Sequence, residues 1–421
     1  MATQALKDEV DRPPFGQRFL TENHDVWSHS AWDSVPPPTD QDEIIEKSLN
    51  RQRAAPVQDT QKYNATPFKY WDVFYKNNTN NFFRDRKWLP REFPELLALA
   101  TPDAGERVIV EVGCGAGNTA LPLLSANENP HLTIHACDYA PTAVEVVKQS
   151  PLYSAPPTGT IRASVWDLSS TTQTMPEGVQ EHSVDAVVMI FVLSALSPSE
   201  WAQAVANVHQ MLKPGGLILL RDYGRHDLTQ LRFKEGRLLE ENFYIRGDGT
   251  RVYFFEIDEL ARLFTGKDAP EGGVDVVTST GTEGEGDDGP ASTSSPTESG
   301  PSVQSISTGL ESLSMQDMLS GAATPTQDTA TTAPSKPENE AVATETLPLE
   351  SGSAPSSSQS NPEESSIPPT STSMTSIADL AQLPHPLFSI VQLRVDRRLL
   401  LNRKRQLKMY RVWMQAKFRK I

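Results

Sequence analysis

The residues best suited to chemistry form one short run, Glu111-Val112-Gly113-Cys114-Gly115-Ala116-Gly117, behind a β-branched stretch that begins at Val108. Glycines at alternate positions remove Cβ atoms from a turn, so a ligand can lie against the main chain itself. A buried strand, such a turn and the apolar helical pattern after it make the first unit of an open α/β sheet. A dinucleotide fingerprint wants its third glycine three residues after the second. Asn118 holds that position here, and the third glycine comes one residue early. Carboxylates recur downstream wherever a strand is expected to end. LTIHACD closes on Asp138, about twenty residues further on, where nucleotide-binding sheets hold a ribose diol. ASVWDL carries Asp167, and GLILLRDYG carries Asp222. Ligands of open parallel sheets bind beyond the carboxyl ends of the strands. Any one of these acids is equally well explained as a helix cap. Four at expected strand ends within one sheet (Glu111, Asp138, Asp167 and Asp222) are not.

The intervening elements must bring those ends together. Pro141 stands where a helix begins, with TAVEVVKQ as its apolar stripe. Val184–Leu196 is apolar apart from Asp185 and Ser194 and reads as a strand buried on both faces. Ser197 and Pro198 open the helix SPSEWAQAVANVHQML, and LKPGG stops it. Gly216–Gly224 is the fifth strand. Near the C-terminus, Phe388–Leu401 and Met409–Phe418 read as two more strands joined by a basic turn, an antiparallel pair closing the sheet edge. The expected division of the 421 residues is a partly ordered N-terminal extension (1–62), an aromatic and basic segment (63–100), the α/β core (101–267), an acidic insert (268–380) and the hairpin (381–421).

Charge is distributed unevenly along this plan. The insert is rich in Ser, Thr, Pro, Glu, Gly and Ala and poor in aromatics, so it cannot bury enough apolar surface to offset its ordering entropy. It holds eighteen acidic residues against the single base Lys336, a net of −17, while the whole chain carries −16. The remainder is therefore close to neutral, and the acidic balance does not argue against a nucleic-acid partner. With its many hydroxyl residues, the insert is either a regulatory tail or a loop with no role of its own. The last twenty-eight residues hold eleven Arg and Lys and one acid, Asp396. Arg403, Lys404 and Arg405 mark the turn, and one basic face of a folded hairpin is the footprint of a phosphate backbone. A solvated face is the plain alternative. KYWDVFYKNNTNNFFRDRKWLPREFPEL sets Trp71, Tyr75, Phe82, Phe83 and Trp88 beside Arg84, Arg86 and Lys87. Rings next to guanidinium groups suit unstacked bases and their phosphates, although a helical lid packed over the sheet would also be aromatic.

The spacing E-x-G-x-G-x-G resembles the first motif of S-adenosylmethionine (SAM) dependent methyltransferases of the Rossmann-like class. FGQRFL, KYWDVFY, FFRDRKWLPREFPEL, EVGCGAGN, ACDYAP, IFVLSAL, LKPGG, RDYG, ENFYIRGDGTRVYFF and NRKRQLKMYRVWMQAKF together resemble the tRNA 3-methylcytidine methyltransferases, over the whole chain apart from the insert. FGQRFL and AWDSV look like the branch acting on threonine and other tRNAs. The resemblance implies a mostly parallel seven-stranded sheet with an antiparallel edge hairpin, SAM as cofactor, and the cytidine at position 32 of threonine or serine tRNAs as substrate. It implies a SAM site lined by Trp71, Tyr75, Gly113, Asp138, Asp167, Leu168 and Ile190, together with Gly115 and Gly117 of the motif. It also places Arg221 among the RNA contacts, and allows a helper such as a seryl-type aminoacyl-tRNA synthetase. The long insert departs from the family pattern, as does Arg84, where lysine is more usual.

The chemistry expected on this likeness is an in-line methyl transfer to cytosine N3, which carries its own lone pair and must be unpaired or flipped out. Most of the catalysis is then positioning. A carboxylate near the base would stabilise the cationic product; Asp222 is the first choice, with Tyr223 or Phe191 stacking on the base. A small-molecule or protein methyltransferase would use the same sheet but would not need basic and aromatic segments at both ends. A non-catalytic RNA-binding scaffold would be expected to have lost a glycine or a strand-end acid. Cys114 and Cys137 are too few for a disulfide framework, and the eight histidines do not cluster, so no metal site is expected. MATQALKDEVD is acidic early and there is no apolar leader, which points to the cytoplasm with a nuclear pool and no membrane association. Deleting Gly272–Ser371 behind a short flexible linker is expected to leave melting temperature and activity unchanged, because loop closure depends weakly on length. A large drop in thermal stability would show that the segment packs on the body.

Overall fold

The computed structural model describes residues 17–273, except 55, 81, 84 and 87, and residues 383–421. The acidic stretch 274–382, residues 1–16, Arg84 and Lys87 lie outside the described residues.

The N-terminal extension gives a three-residue strand β1 (Ala31–Asp33) and helix α1 (Gln41–Ala54), followed by α2 (Pro67–Asn78). The core then runs β2 (Arg107–Val112), α3 (Ala120–Ser125), β3 (Leu132–Asp138), α4 (Pro141–Lys148), β4 (Thr160–Val165), β5 (Val184–Ile190), α5 (Trp201–Met211) and β6 (Leu212–Tyr223). Three short strands follow, β7 (Leu238–Glu240), β8 (Phe243–Ile245) and β9 (Arg251–Tyr253), then α6 (Ile257–Thr265). The chain closes with β10 (Phe388–Asn402) and β11 (Leu407–Lys420).

The main sheet has the order β1-β10-β11-β6-β5-β2-β3-β4. Strands β2 to β6 are parallel to their neighbours, whereas β11, β10 and β1 join antiparallel. The seven expected strands are all present, and AWD adds an eighth on the outer edge, pairing Trp32 with Leu399. Trp32 is fully buried there among Leu399, Leu401 and Tyr410, and its Nε1 donates to Val26 O at 2.6 Å. LLEENFYIRGDGTRVYFF builds a separate three-stranded sheet that the pattern did not announce.

Both faces of the main sheet are covered, which is why its central strands are largely apolar on both sides. Val110, Val112, Val187 and Met189 face α5 and α6, with Trp201, Val208 and Phe264 in contact. Ile109, Ile134, Val188 and Leu219 point the other way, toward Leu89, Phe93 and Leu124. Local chemistry shifts several boundaries. β5 stops at Ile190 instead of Leu196 because Phe191 turns left-handed, at φ 58°. β4 ends at Val165, before Asp167, whose side chain bends the next residues by accepting from Ser169 N at 2.9 Å. LKPGG does stop α5, which ends at Met211, and the same residues open β6 ahead of the expected Gly216. Pro141 does start α4, with Ala143, Val144 and Val147 buried. The strand order reverses at β2, with β5 on one side and β3 on the other, and that reversal leaves a crevice at the carboxyl edge.

Candidate functional site

Two adjoining cavities fill that crevice. The first is lined by Val112, Gly113, Asp138, Tyr139, Trp166, Asp167, Leu168, Val192, Leu196, Glu200 and Arg251. The second is lined by Phe82, Phe83, Arg86, Gly115, Asn118, Ile190, Tyr223, Arg246 and Asp248. Trp71, Tyr75, Gly113 and Phe191 line both, so the two spaces share one wall.

The first cavity has the form of a nucleoside slot. At its base, Asp138 Oδ2 accepts from Gly115 N and Oδ1 from Ala140 N, each at 2.9 Å. The carboxylate thus fixes the glycine turn and the start of α4 while reaching the cavity. Burial pushes its carboxyl up to about 6 despite those hydrogen bonds. Asp167 lies exposed at the rim, and Trp166 and Leu168 supply apolar wall. The turn itself is left-handed at Gly113, φ 63°, and Gly115, φ 54°. A Cβ on Gly113 would meet Val192 at 2.5 Å, and one on Gly115 would meet the Tyr75 hydroxyl at 2.4 Å. Gly117 is also left-handed, but it lines neither cavity, and a Cβ there would strike Leu121 and Val147. A buried carboxylate at the end of β3, an apolar slot and a bare main-chain turn fit SAM.

The lid over both cavities is α2. Asp72 Oδ1 accepts from Thr142 N at 2.9 Å, and its partnership with Lys76 and Thr142 holds its carboxyl down to about 2. Trp71, Phe74 and Tyr75 turn inward from one face, with Phe83 packed alongside. Arg251 on β9, missed in the sequence, secures the loop after β5. It is almost fully buried and donates to Ala195 O at 3.2 Å and Glu200 Oε2 at 2.9 Å. Arg246, also missed, places its guanidinium 5.9 Å from the Trp71 ring and 5.5 Å from the Tyr223 ring. Only an unusual density of arginine and aromatic residues in the segment containing both, ENFYIRGDGTRVYFF, marked them beforehand.

Two of the four strand-end acids do not face the cavities. Glu111 accepts from Ala120 N at 2.8 Å and is pushed up to about 7 by burial. Asp222 has no exposed surface; Oδ2 accepts from Ser194 N at 3.0 Å and Oδ1 from Tyr223 N at 2.8 Å. Burial pushes it up to about 6. It grips the loop carrying Phe191 and the backbone of Tyr223, whose rings lie 4.8 Å apart in the second cavity.

The expected RNA contacts separate into groups. Arg403, Lys404 and Arg405 are exposed in the β10–β11 turn. Because Trp413 pairs with Tyr223, the six strand residues before Trp413 and that turn project beyond the carboxyl edge of β6, by about 20 Å at 3.3–3.4 Å per residue. Arg86 is half-buried in the wall of the second cavity. Arg221 requires a correction. Its guanidinium is buried between the rings of Trp88 and Trp413, at 5.0 and 4.6 Å, and is paired with Asp396 and Gln415. Burial lowers its pKa, and no face of it is left for a phosphate. Trp88 is thereby a packing partner of Arg221. Arg398 binds Glu92, Asp33 and Asp396, so the cluster joins the aromatic segment, β1 and β10 to β6. Burial opposes ionisation of Asp396, but Arg221 and Arg398 overcome it and hold its carboxyl below the usual range. Among the described residues no group of three or more His, Cys, Asp or Glu is arranged to hold a metal, and no helix is long and apolar enough to cross a membrane.

Comparison with known proteins adds to this geometry. Residues 110–218 match a family described as a methyltransferase domain. A tRNA(Thr) (cytosine(32)-N(3))-methyltransferase of Saccharomyces cerevisiae is 54% identical over 255 residues, 60% of this chain and 40% of that protein. The chain therefore spans less than half the length of this yeast relative. A tRNA N(3)-methylcytidine methyltransferase of Schizosaccharomyces pombe is 50% identical over 250 residues, 59% of this chain and 80% of its own length. A tRNA N(3)-cytidine methyltransferase of Danio rerio is 40% identical over 295 residues, 63% of this chain and 82% of its own.

Proposed function

Because the chain belongs to the tRNA N(3)-cytidine methyltransferase family, we propose that it methylates N3 of the cytidine at position 32 in threonine or serine tRNAs, with SAM as cofactor. The observation that carries this reading is the shared wall. A nucleoside slot and an aromatic, arginine-edged cavity meet at Trp71, Tyr75, Gly113 and Phe191. Bound in the slot, SAM supplies a methyl on a sulfonium, and cytosine N3 takes it as the carbon–sulfur bond breaks, so the positive charge passes to the base.

The residues of this chain then do three things. Asp138 holds the turn and would hold the ribose, and Asp167 at the rim would face the rest of the adenosine. Phe191 and Tyr223 offer ring faces to the flipped cytosine, and those faces stabilise the ring once it becomes cationic. Asp222 keeps both rings in place from beneath. Its full burial and two backbone partners favour positioning over direct contact with the base. Arg86, Arg246 and the basic turn at Arg403–Arg405 hold phosphates around the loop. A seryl-type synthetase or another helper contributes the rest of tRNA recognition where serine tRNAs are substrates, and the site of action is the cytoplasm, with a nuclear pool.

Salt dependence tests the RNA part directly. Each phosphate contact contributes roughly −0.7 to −0.9 to the slope of log affinity on log salt. Neutralising Arg403, Lys404 and Arg405 together is expected to make that slope shallower by about two to three units, with SAM affinity unchanged. A small-molecule or protein methyltransferase would bind tRNA weakly and show no such change. If the triple variant binds like the wild type across a salt series, the hairpin is only sheet edge.

A further inference from the structure

The glycine turn has two sides. One side, through Gly113 and Gly115, lines the cavities. The other runs on through Asn118, which also edges the second cavity, into Thr119, and there the aromatic, basic segment is fastened to it. Arg86 N donates to Asn118 O at 3.2 Å, and Asn118 Nδ2 donates to Asp85 Oδ1 at 3.3 Å. Arg86 Nε donates to Thr119 Oγ1 at 2.9 Å. Thr119 is 1% exposed, and its hydroxyl donates in turn to Glu111 at the end of β2. Two hydrogen bonds therefore connect Arg86 to the strand that carries the turn. The same guanidinium lines the second cavity and stands 5.8 Å from the Phe191 ring.

Free glycine turns are conformationally costly to fix, because glycine loses more backbone freedom on ordering than any other residue. Asp138 already holds this turn from within, so a ligand on either side adds to a restraint that a ligand on the other side shares. A ligand in the first cavity packs on Gly113, at the start of the turn whose far end, Asn118 and Thr119, is bonded to Asp85 and Arg86. A nucleotide drawn against Arg86 holds the same junction from outside. Sharing one ordering cost between two ligands is positive cooperativity, and it is reciprocal.

We propose that Asp85, Arg86, Asn118 and Thr119 form a coupling joint through which tRNA and cofactor tighten each other's binding, with Thr119 as its central positioning residue. This rests on the reading of the second cavity as the RNA site, and the experiment separates the two. S-adenosylhomocysteine is titrated by calorimetry into the full chain, alone and with saturating unmethylated anticodon stem-loop RNA. In the wild type the RNA is expected to tighten that binding by about fivefold or more, the lower end of ordinary couplings. Thr119→Val removes the hydroxyl that holds Arg86 and leaves every cavity-lining side chain in the chain. The tightening is expected to fall to within about twofold of none, and Thr119→Ser to restore it. A merely structural loss would weaken both titrations and leave their ratio alone. Asp85→Ala, at an exposed position, serves as the second variant and is expected to reduce the ratio with the fold intact. A wild-type ratio of one, or a full ratio in Thr119→Val or Asp85→Ala, overturns the joint while leaving the RNA reading standing. If the stem-loop does not bind at all, the RNA reading fails and the joint with it.

Discussion

Asp138→Ala is expected to weaken SAM binding by about two orders of magnitude, to the limit of calorimetric detection. Buried hydrogen bonds to a charged group contribute roughly 1.5–3 kcal/mol each, and Asp138 makes two to backbone N–H groups besides those available to a ribose. The substitution leaves the Gly115 and Ala140 N–H groups buried without acceptors, so the turn loses its shape as well as its carboxylate. Asp138→Asn retains one acceptor and is expected to fall between the two. The sign of the pH dependence follows from burial, which pushes the carboxyl up to about 6. Ligand contact needs the ionised form, so affinity drops as pH is lowered through about 6. The linked stability moves oppositely. Between the unfolded value of about 4 and the folded value of about 6, the native state binds the proton more readily, and this group's contribution to stability falls as pH rises through that window. A wild-type SAM affinity that stays flat from about pH 8 to about pH 5 would contradict both the role and its sign.

Asp222→Ala is expected to lower single-turnover methylation by a hundredfold or more while leaving tRNA affinity and its salt slope unchanged. The argument is geometric. The side chain joins Ser194 in the loop after β5 to Tyr223 at the end of β6, and it touches neither cavity. Without it, Phe191 and Tyr223 lose a common anchor, and a misplacement of about 1 Å at a reacting centre costs on the order of a hundredfold in rate. Rapid-quench measurement with saturating tRNA distinguishes this from lost binding. Near-normal turnover in a folded variant would remove Asp222 from the mechanism, and a loss of tRNA affinity equal to the loss of rate would show that it acts on binding.

The parts of this fold governed by short-range pattern were readable before the structure. Leu132–Asp138 is the third strand residue for residue, and Pro141 begins its helix, because β-branched runs and a preset φ act locally. The crevice was readable too, since glycine spacing and strand-end acids determine it. What escaped depended on where side chains turn at the ends of elements. Glu111 and Asp222 look like Asp138 in sequence, yet each finds backbone N–H groups beneath a loop and closes on them. Arg221 reads as a basic residue beside a functional strand end. Nothing local announces that Trp88, Trp413 and Asp396, far away along the chain, will enclose it. Arg246 and Arg251 belong to a small sheet with three-residue strands, too short for periodicity to reveal.

The position of β11 governs how the molecule must assemble. It lies between β6 and β10, and its contacts with β6 join residues as distant as Arg221 and Gln415, 194 positions apart. Until residues 407–420 arrive, β6 presents a bare row of main-chain donors and acceptors, flanked by the apolar faces of Ile218 and Leu220. An open edge of that kind is a template for pairing with other chains, and contacts so remote in sequence form slowly. During synthesis the nascent α/β core is therefore both substantially built and unprotected throughout the time the acidic stretch is being added. The strong negative charge of that stretch, tethered to an unfinished edge, would keep two such chains apart for the interval in which they are most prone to associate.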